Sequence, residues 1–348
     1  MGFFSRLFGR NKRQKDFSAA PCPAPEAVQD KLRPQLVAAI QNNDAGTLQK
    51  LFAQGLDANL GIDGVPVLLL AVQEGRHSMV PLLLEHGAKI NAQDSKGRSA
   101  LMAAVERNDL ACTEFLLDRG ADATLEDRDT RNVIAWAAYS GAVDCLRLMR
   151  KKGVDLAAKN SHGRTALHEL AAYCHFGAVE SLLELGADIN TRSDYDESVL
   201  TFLSEGCDAA YVAKALELGA EPDAETIEGE TPLLNAVSED NPEVLKLLLA
   251  AGAKPNHVTR FGNSALNQAA DTGNLVCMEI LLEHGADVNL RLKHGRTVLH
   301  TAVIKDDAEA VELFLSYRAD TSIKDDEGKT PLMLAQEKGF EDCIEALQ

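Results

Sequence analysis

Histidine and cysteine are the residues of this chain whose chemistry best suits metal binding or nucleophilic catalysis. Their densest group comprises His168, Cys174 and His175. His168 and Cys174 are six residues apart, a spacing that places them poorly on one helix face, and no second ligand pair accompanies them. The sequence from His168 is His-Glu-Leu-Ala-Ala, which lacks the second histidine of HExxH. We therefore predict no metal site and no cofactor.

The short motifs that organise catalytic sites are absent from the sequence. It contains no GxSxG, no phosphate-binding P-loop and no GxGxxG. An enzyme needs a cleft in which unusual residues converge, whereas nearly every residue here belongs to a repeating pattern. We predict that the protein is not an enzyme, has no catalytic residues and takes no small-molecule substrate.

That pattern has a period of 33 residues. Two ladders of glycine share it, and each period has a Thr/Ser-x-Leu helix start, small apolar residues, a break, and a Leu-rich helix ended by glycine. A single helix-turn-helix unit cannot bury its apolar face, so the units must stack. The first ladder comprises Gly87, Gly120, Gly186, Gly219, Gly252 and Gly285, and the second comprises Gly64, Gly97, Gly163, Gly229, Gly262, Gly295 and Gly328.

The unit sequence resembles the ankyrin-repeat family over roughly residues 32–348. The resemblance is carried by Gly-x-Thr-Pro-Leu at 229–233, Gly-Ala-Asp-x-Asn at 285–289 and Thr-x-Leu-His at 165–168 and 297–300. It implies an all-α ankyrin-repeat solenoid of helix-turn-helix units with β-hairpin loops, about eight full repeats plus terminal caps. It also implies that His168 and His300 tie neighbouring loops together, and that the general function is to bind another protein.

Departures from the pattern concentrate in the middle of the chain. Thr130 and Asp196 replace turn glycines. Because threonine tolerates positive φ badly, we expect a distorted hairpin near Thr130. Cys174 replaces the glycine between two helices. In the next repeat that glycine is Gly206, followed by Cys207, and it comes one residue earlier than the 33-residue period predicts.

The seven cysteines are odd in number and form no CxxC. This argues against a disulfide framework or zinc ribbon and favours a reducing compartment. Cys112, Cys145, Cys277 and Cys343 share one repeat position at the start of a helix, where we predict free thiols in the core. Helices of successive repeats lie roughly 8–10 Å apart, which is too far for a disulfide between the first two.

Charge is unevenly distributed. The chain carries −18, although residues 1–16 hold five Lys or Arg and one Asp. Residues 184–243 hold 16 Asp or Glu but only Arg192 and Lys214, a net charge of −14. This acidity excludes nucleic acid as a partner and favours a protein with a basic surface. A solvated, solubilising face is the alternative interpretation.

The N-terminal segment differs from the repeats. We predict a basic amphipathic arm at 1–17, a Pro-rich linker at 18–31 and the repeat domain at 32–348. The arm is typical of segments that bind an anionic membrane surface or a partner, although a start without a role is the alternative. Its predicted docking residues are Phe3, Phe4, Arg6, Leu7, Phe8 and Arg10.

Aromatic residues at hairpin tips and on the first helix of each unit predict the partner-binding surface. Trp and Tyr are the residues most often found as interface hot spots. Packing between repeats is the alternative role for Trp136 and Phe202. The predicted partner-binding residues are Trp136, Tyr139, Tyr173, Tyr195, Phe202 and Phe261.

Three hypotheses for function follow from these features. The first is a cytoplasmic, non-enzymatic scaffold or adaptor that holds a partner with a basic surface on a concave face. The second is a membrane-recruited adaptor or secreted effector that uses residues 1–16 at the membrane periphery. The third is a metal-binding or catalytic protein.

Overall fold

The computed structural model of the protein describes residues 25–348, so the arm and its predicted docking residues lie outside the described part. The described residues divide into two units. The first comprises 25–170 with 177–187, and the second comprises 171–176 with 188–348. Twenty α-helices occur in the described residues as ten consecutive pairs, joined by loops. The architecture is therefore the all-α repeat that the sequence predicts.

The first four helix pairs lie in the first unit, and the fifth pair begins there. Helices α9 and α10 contribute residues to both units. The helices are α1 Glu26–Gln41, α2 Ala45–Ala53, α3 Val67–Gln73, α4 Met79–Glu85, α5 Ala100–Glu106, α6 Leu110–Asp118, α7 Val133–Tyr139, α8 Val143–Lys151, α9 Ala166–Ala172 and α10 Phe176–Glu184.

The other five pairs lie in the second unit, together with a short 3-10 helix at Lys293–Gly295. The helices are α11 Val199–Leu203, α12 Ala209–Glu217, α13 Pro232–Ser238, α14 Pro242–Ala250, α15 Ala265–Thr272, α16 Leu275–Glu283, α17 Val298–Ile304, α18 Ala308–Ser316, α19 Pro331–Lys338 and α20 Glu341–Ala346.

The two helices of a pair bury different amounts of their surface. Helix α5, rich in alanine, buries six of its seven residues, Ala100–Val105. Helix α14 buries only a stripe formed by Val244, Leu245, Leu248 and Leu249. The first helix is thus enclosed by its neighbours, whereas the second is amphipathic and faces solvent on one side.

Capping residues begin and end these helices as the sequence pattern predicts. The hydroxyl of Thr231 accepts the N–H of Leu234 at 3.4 Å, and Pro232 follows at the first helical position. Helix α14 is closed by Gly252 at φ +94°, where the N–H of Ala253 donates to the carbonyl of Leu248.

The terminal units are more complete than expected. Helix α1 begins at Glu26, inside the predicted linker at 18–31, and spans 16 residues. Pro25 is its N-cap, so this proline starts the helix rather than extending the linker. Gln29, Leu32 and Leu36 recur on its buried face, a helical spacing that the proline pattern obscured. Both the first and the last repeat therefore contain two helices.

The loops form fewer strands than the family resemblance implies. The one named pair of strands in the described residues joins β1 Gly61–Ile62 to β2 Val65–Pro66, antiparallel, with Gly61 opposite Pro66. Four other loops make single antiparallel bridges, for example between Val258 and Ser264. The loops are mainly turns held by side chains rather than extended hairpins.

The turn at Thr130 is regular, so the expected distortion was wrong. Thr130 takes φ +59° and donates its N–H to the carbonyl of Asp127 at 3.1 Å, as Gly97 at φ +78° donates to Asp94 at 3.0 Å. The carboxylate of Asp127 accepts the N–H groups of Asp129 and Arg131 at 2.9 Å each. Because the Asp127 side chain fixes the turn, Thr130 adopts a positive φ despite the strain that this conformation causes.

Asparagine side chains join successive repeats. The Oδ1 of Asn256, at the end of Gly-Ala-Lys-Pro-Asn, accepts the N–H of Asp287 at 2.7 Å. Asn289, at the same place in Gly-Ala-Asp-Val-Asn, accepts the N–H of Asp320 at the same distance. Buried His300 connects repeats in a second way, accepting the N–H of Thr297 at Nδ1 and donating from Nε2 to the carbonyl of Lys329. His168 is also fully buried and accepts the N–H of Thr165. The predicted tie between neighbouring loops is confirmed for His300, whereas the bond described for His168 lies within its own repeat.

One cysteine pair forms a disulfide, contrary to expectation. Cys174 and Cys207 are bonded, with Cα atoms 5.6 Å apart, and both belong to the second unit. The helix spacing that rules out other pairs does not apply, because both cysteines lie in loops between helices. The reducing compartment inferred from the odd cysteine count therefore does not follow.

The other described cysteines are buried free thiols, as predicted. Cys112, Cys145, Cys277 and Cys343 are at most 1% exposed. Burial raises the pKa of Cys112 to about 12 and the pKa of Cys277 to about 11. These thiols remain protonated at neutral pH and act as small apolar residues of the core.

Replacing Thr130 with glycine should stabilise the protein. A left-handed conformation costs an L-residue about 1–2 kcal/mol, and removing Cβ relieves that cost but adds backbone entropy to the unfolded chain. We expect a gain of about 0.5–1 kcal/mol in urea denaturation. Thr130→Ala keeps Cβ and is the control. Equal stability of the two variants would refute strain at this turn.

Reducing the disulfide should destabilise the second unit. The bond joins residues 33 apart, and a loop of this length is worth about 2–4 kcal/mol through restriction of the unfolded chain. We expect a dithiol reductant to lower the urea midpoint of the wild type but not that of Cys174→Ser/Cys207→Ser. Equal shifts in both proteins would show that the bond contributes nothing.

Candidate protein-binding surface

In the first unit, helix α7 presents two of the predicted aromatic residues. The indole Nε1 of Trp136 donates to the carboxylate of Asp127 at 2.9 Å, and the guanidinium of Arg131 lies 4.8 Å from the ring centroid. The ring of Tyr139 meets Trp136 edge-on, with centroids 6.5 Å apart, and Tyr139 is 50% exposed. The unit thus offers an exposed tyrosine supported by an oriented tryptophan.

Asp127 organises this aromatic pair as well as its own turn. It is 8% exposed. One carboxylate oxygen accepts the two turn N–H groups, while the other accepts Trp136 Nε1 and Arg131 Nε, the latter at 3.0 Å. A buried charge is tolerated when hydrogen bonds satisfy it this fully. In the sequence, the one sign of this role is an aspartate three residues before the turn position.

In the second unit, the tips of three successive loops are joined by backbone hydrogen bonds. The N–H of Ile227 donates to the carbonyl of Tyr195 at 3.0 Å, and the N–H of Arg260 donates to Glu228 at 3.1 Å. Tyr195, Ile227 and Phe261, which we call the tip strip, are 54%, 38% and 62% exposed. Large apolar side chains exposed on adjacent loops are typical of a protein-binding surface.

Tyr173 and Phe202, also predicted to bind, have different environments. Tyr173 precedes the disulfide-bonded Cys174 and is 57% exposed, so it is accessible. Phe202 is only 4% exposed, because α11 buries all five of its residues and has no solvent face. Phe202 is therefore a core residue and not an interface anchor, in agreement with the alternative of packing between repeats.

A groove of about 290 Å³ lies beside the tip strip. Tyr195 and Ile227 form apolar parts of its wall, and Thr201, Thr226 and Asn235 form neutral polar parts. Its charged lining consists of glutamates alone, namely Glu197, Glu205, Glu228 and Glu230.

Two hydroxyl groups set the positions of the groove loops. Ser193 Oγ accepts the N–H groups of Tyr195 and Glu197 at 3.1 Å each. In the next repeat, Thr226 Oγ1 accepts those of Glu228 and Glu230 at 3.3 and 3.1 Å. A side-chain turn of this kind directs residues two and four places later towards the same region in both loops. The acidic run at 184–243 indicated this region, but not the groove, because its lining comes from two successive repeats.

The groove carboxylates differ in their surroundings. Asn235 Nδ2 donates to Glu205 at 3.0 Å, and Ser193 Oγ donates to Glu197 at 2.9 Å. Glu230 is half-buried, and burial raises its pKa. The nearby charge of Glu228 raises that pKa further, whereas His257 lowers it. The pKa shift indicates that the groove disfavours an additional negative charge.

Residues 25–348 contain neither a metal-holding cluster nor a membrane-spanning helix. No group of three or more His, Cys, Asp or Glu in that range is placed to hold a metal ion. No helix in it has both the length and the apolar character needed to cross a membrane.

Family comparisons agree with the repeat architecture. Three copies of a model described as ankyrin repeats (3 copies) match residues 36–127, 120–193 and 198–292. A second model, described as ankyrin repeats (many copies), matches residues 281–335.

Removing the carboxylate of Asp127 should disturb both the turn and the tryptophan. We expect Asp127→Ala to cost at least about 2 kcal/mol, since it leaves buried donors unpaired. Trp136 is the only tryptophan, so its fluorescence emission should shift to the red and report this change directly.

Asp129→Ala is the matched control, because the Asp129 side chain is 62% exposed and only pairs with Arg131 at the surface. It should cost less than about 1 kcal/mol and leave the emission unchanged. The same effect in both variants would contradict the role assigned to Asp127.

Proposed function

Because the chain belongs to the ankyrin-repeat family, whose repeats are generally protein–protein interaction modules, we propose that it is a non-enzymatic scaffold or adaptor that binds a partner with a basic surface. The observation that carries the proposal is the exposed tip strip of Tyr195, Ile227 and Phe261. Preformed loops of this kind lose little conformational entropy when a partner binds.

The charge of the second unit supports a basic partner. Residues 184–243 carry a net −14 and include the four groove glutamates. A field of one sign speeds the encounter with an oppositely charged protein and suppresses wrong partners. Apolar tips beside acidic side chains fit a partner that combines exposed aliphatic groups with lysine or arginine.

Tyr139 supports a second area of contact in the first unit. It is half exposed and rests against Trp136, whose orientation Asp127 and Arg131 fix. Rigid aromatic side chains lose little entropy on binding and often dominate interface energetics. Tyr173 is a further exposed candidate. The proposal includes a cytoplasmic location, which the Cys174–Cys207 disulfide does not support.

The sequence of the arm favours a second candidate, a membrane-recruited adaptor or effector. Phe3, Phe4, Leu7 and Phe8 combine with five Lys or Arg within residues 1–16. Aromatic and basic residues together suit an anionic lipid surface.

Flotation on vesicles with and without anionic lipid tests this candidate. The full chain should float with anionic vesicles, while a chain lacking residues 1–20 should not. Equal flotation of the two proteins would refute it.

The binding proposal is tested first by affinity purification of the full chain followed by mass spectrometry. With the captured partner, Tyr195→Ala/Phe261→Ala should weaken binding at least tenfold, because each ring is worth about 1–2 kcal/mol at an interface. Isothermal titration calorimetry measures the change.

Val276→Ala/Leu110→Ala is the matched control, since Val276 and Leu110 are 56% and 42% exposed on second helices of their pairs. It should leave the affinity unchanged. Equal losses in the two double variants, or no loss in either, would refute the assignment of the tip strip.

A further inference from the structure

We infer that the groove beside the tip strip takes a single cationic side chain, lysine or arginine, from the bound partner. The inference rests on the proposed function and names the chemical group that the surface recognises. It assigns Tyr195, Ile227, Glu228 and Glu230 as the residues that select this group.

The size of the groove suits one side chain. Its volume of about 290 Å³ lies just below the range of roughly 300–1,000 Å³ typical of pockets for whole small molecules. It is also far too large for a bare metal ion, which needs oxygen ligands at about 2.0–2.6 Å. A long, narrow side chain with a charged end fills such a space.

The walls match both parts of a lysine or arginine side chain. Ile227 offers aliphatic surface to the methylene stem, which such residues bury while their charge stays polar. Tyr195 is 54% exposed and offers a ring face to the cation. The two residues are held together, since the N–H of Ile227 donates to the carbonyl of Tyr195.

Three basic residues of the neighbouring loops pair with carboxylates outside the groove lining. Arg192 pairs with Glu221 at 2.9 Å, and Lys254 pairs with Asp223 at 3.3 Å. His257 lies 3.4 Å from Glu225. The lining of the groove itself contains four glutamates and no Lys or Arg.

An incoming cation relieves an existing electrostatic cost. Glu228 and Glu230 flank one glycine and are held by the same hydroxyl, that of Thr226. Their mutual repulsion and the burial of Glu230 oppose ionisation. A guanidinium or ammonium group between them would add a positive charge to that of His257 and donate hydrogen bonds to both.

The test uses the full chain and three small probes: N-acetyl-arginine amide, N-acetyl-lysine amide and the neutral isostere N-acetyl-citrulline amide. Methyl NMR should show saturable shifts of the Ile227 signal with arginine or lysine but not with citrulline. Glu228→Gln/Glu230→Gln should weaken this binding at least fivefold.

Glu239→Gln/Glu243→Gln removes the same charge from exposed positions outside the groove lining and should leave the binding unchanged. Equal shifts with citrulline, or equal weakening by both double variants, would overturn the inference. The proposed function is refuted by a different result, unchanged partner affinity of the Tyr195→Ala/Phe261→Ala variant. The two failures are therefore distinguishable.

Discussion

The rest of this structure depends on one constraint: the single repeats are unstable alone and must stack on one another. A pair of short helices has no core of its own, so each pair must bury its alanine-rich first helix against its neighbours. Helix α5, with six of seven residues buried, shows how complete that enclosure is. The first helices of successive repeats pack in the same way only if each loop has the same position in its repeat. Polar side chains fix that position.

Those polar side chains act locally and across repeats at once. Asp127 holds its own turn, and Asn256 and Asn289 each accept a backbone N–H from the following repeat. Loop tips are then joined directly, as Ile227 is to Tyr195. The hydrogen bonds of the loop backbone are made without the side chains at the tips, so those side chains are free to vary. The exposed side chains of Tyr195 and Phe261 do not hold the repeats together as that of His300 does.

The sequence predicted the elements that repeat and missed those that occur once. Periodic glycines, caps such as Thr231 and the buried position of Cys277 follow from the 33-residue pattern. The disulfide did not, since pairing Cys174 with Cys207 depends on two loops approaching each other. The φ preference of threonine predicts a distorted turn at Thr130, but the hydrogen bonds of Asp127 determine the turn.

The predicted binding residues differ in exposure, because their surroundings differ. Tyr139, Tyr173, Tyr195 and Phe261 are exposed, but Phe202 is buried because α11 has no solvent face. Aromatic character alone does not distinguish an anchor from a core ring. The groove was missed for a related reason, since single repeats do not contain it. Its lining residues lie between positions 195 and 235, and only the folded loops bring them together.

Hydrogen–deuterium exchange of the full chain, with and without its captured partner, tests the central claim that loop tips form the binding surface. The account predicts slower exchange on binding in the tips at 194–198, 226–230 and 259–263, with the second helices α12, α14 and α16 unaffected. Protection confined to those helices, with the three tips unchanged, would contradict it.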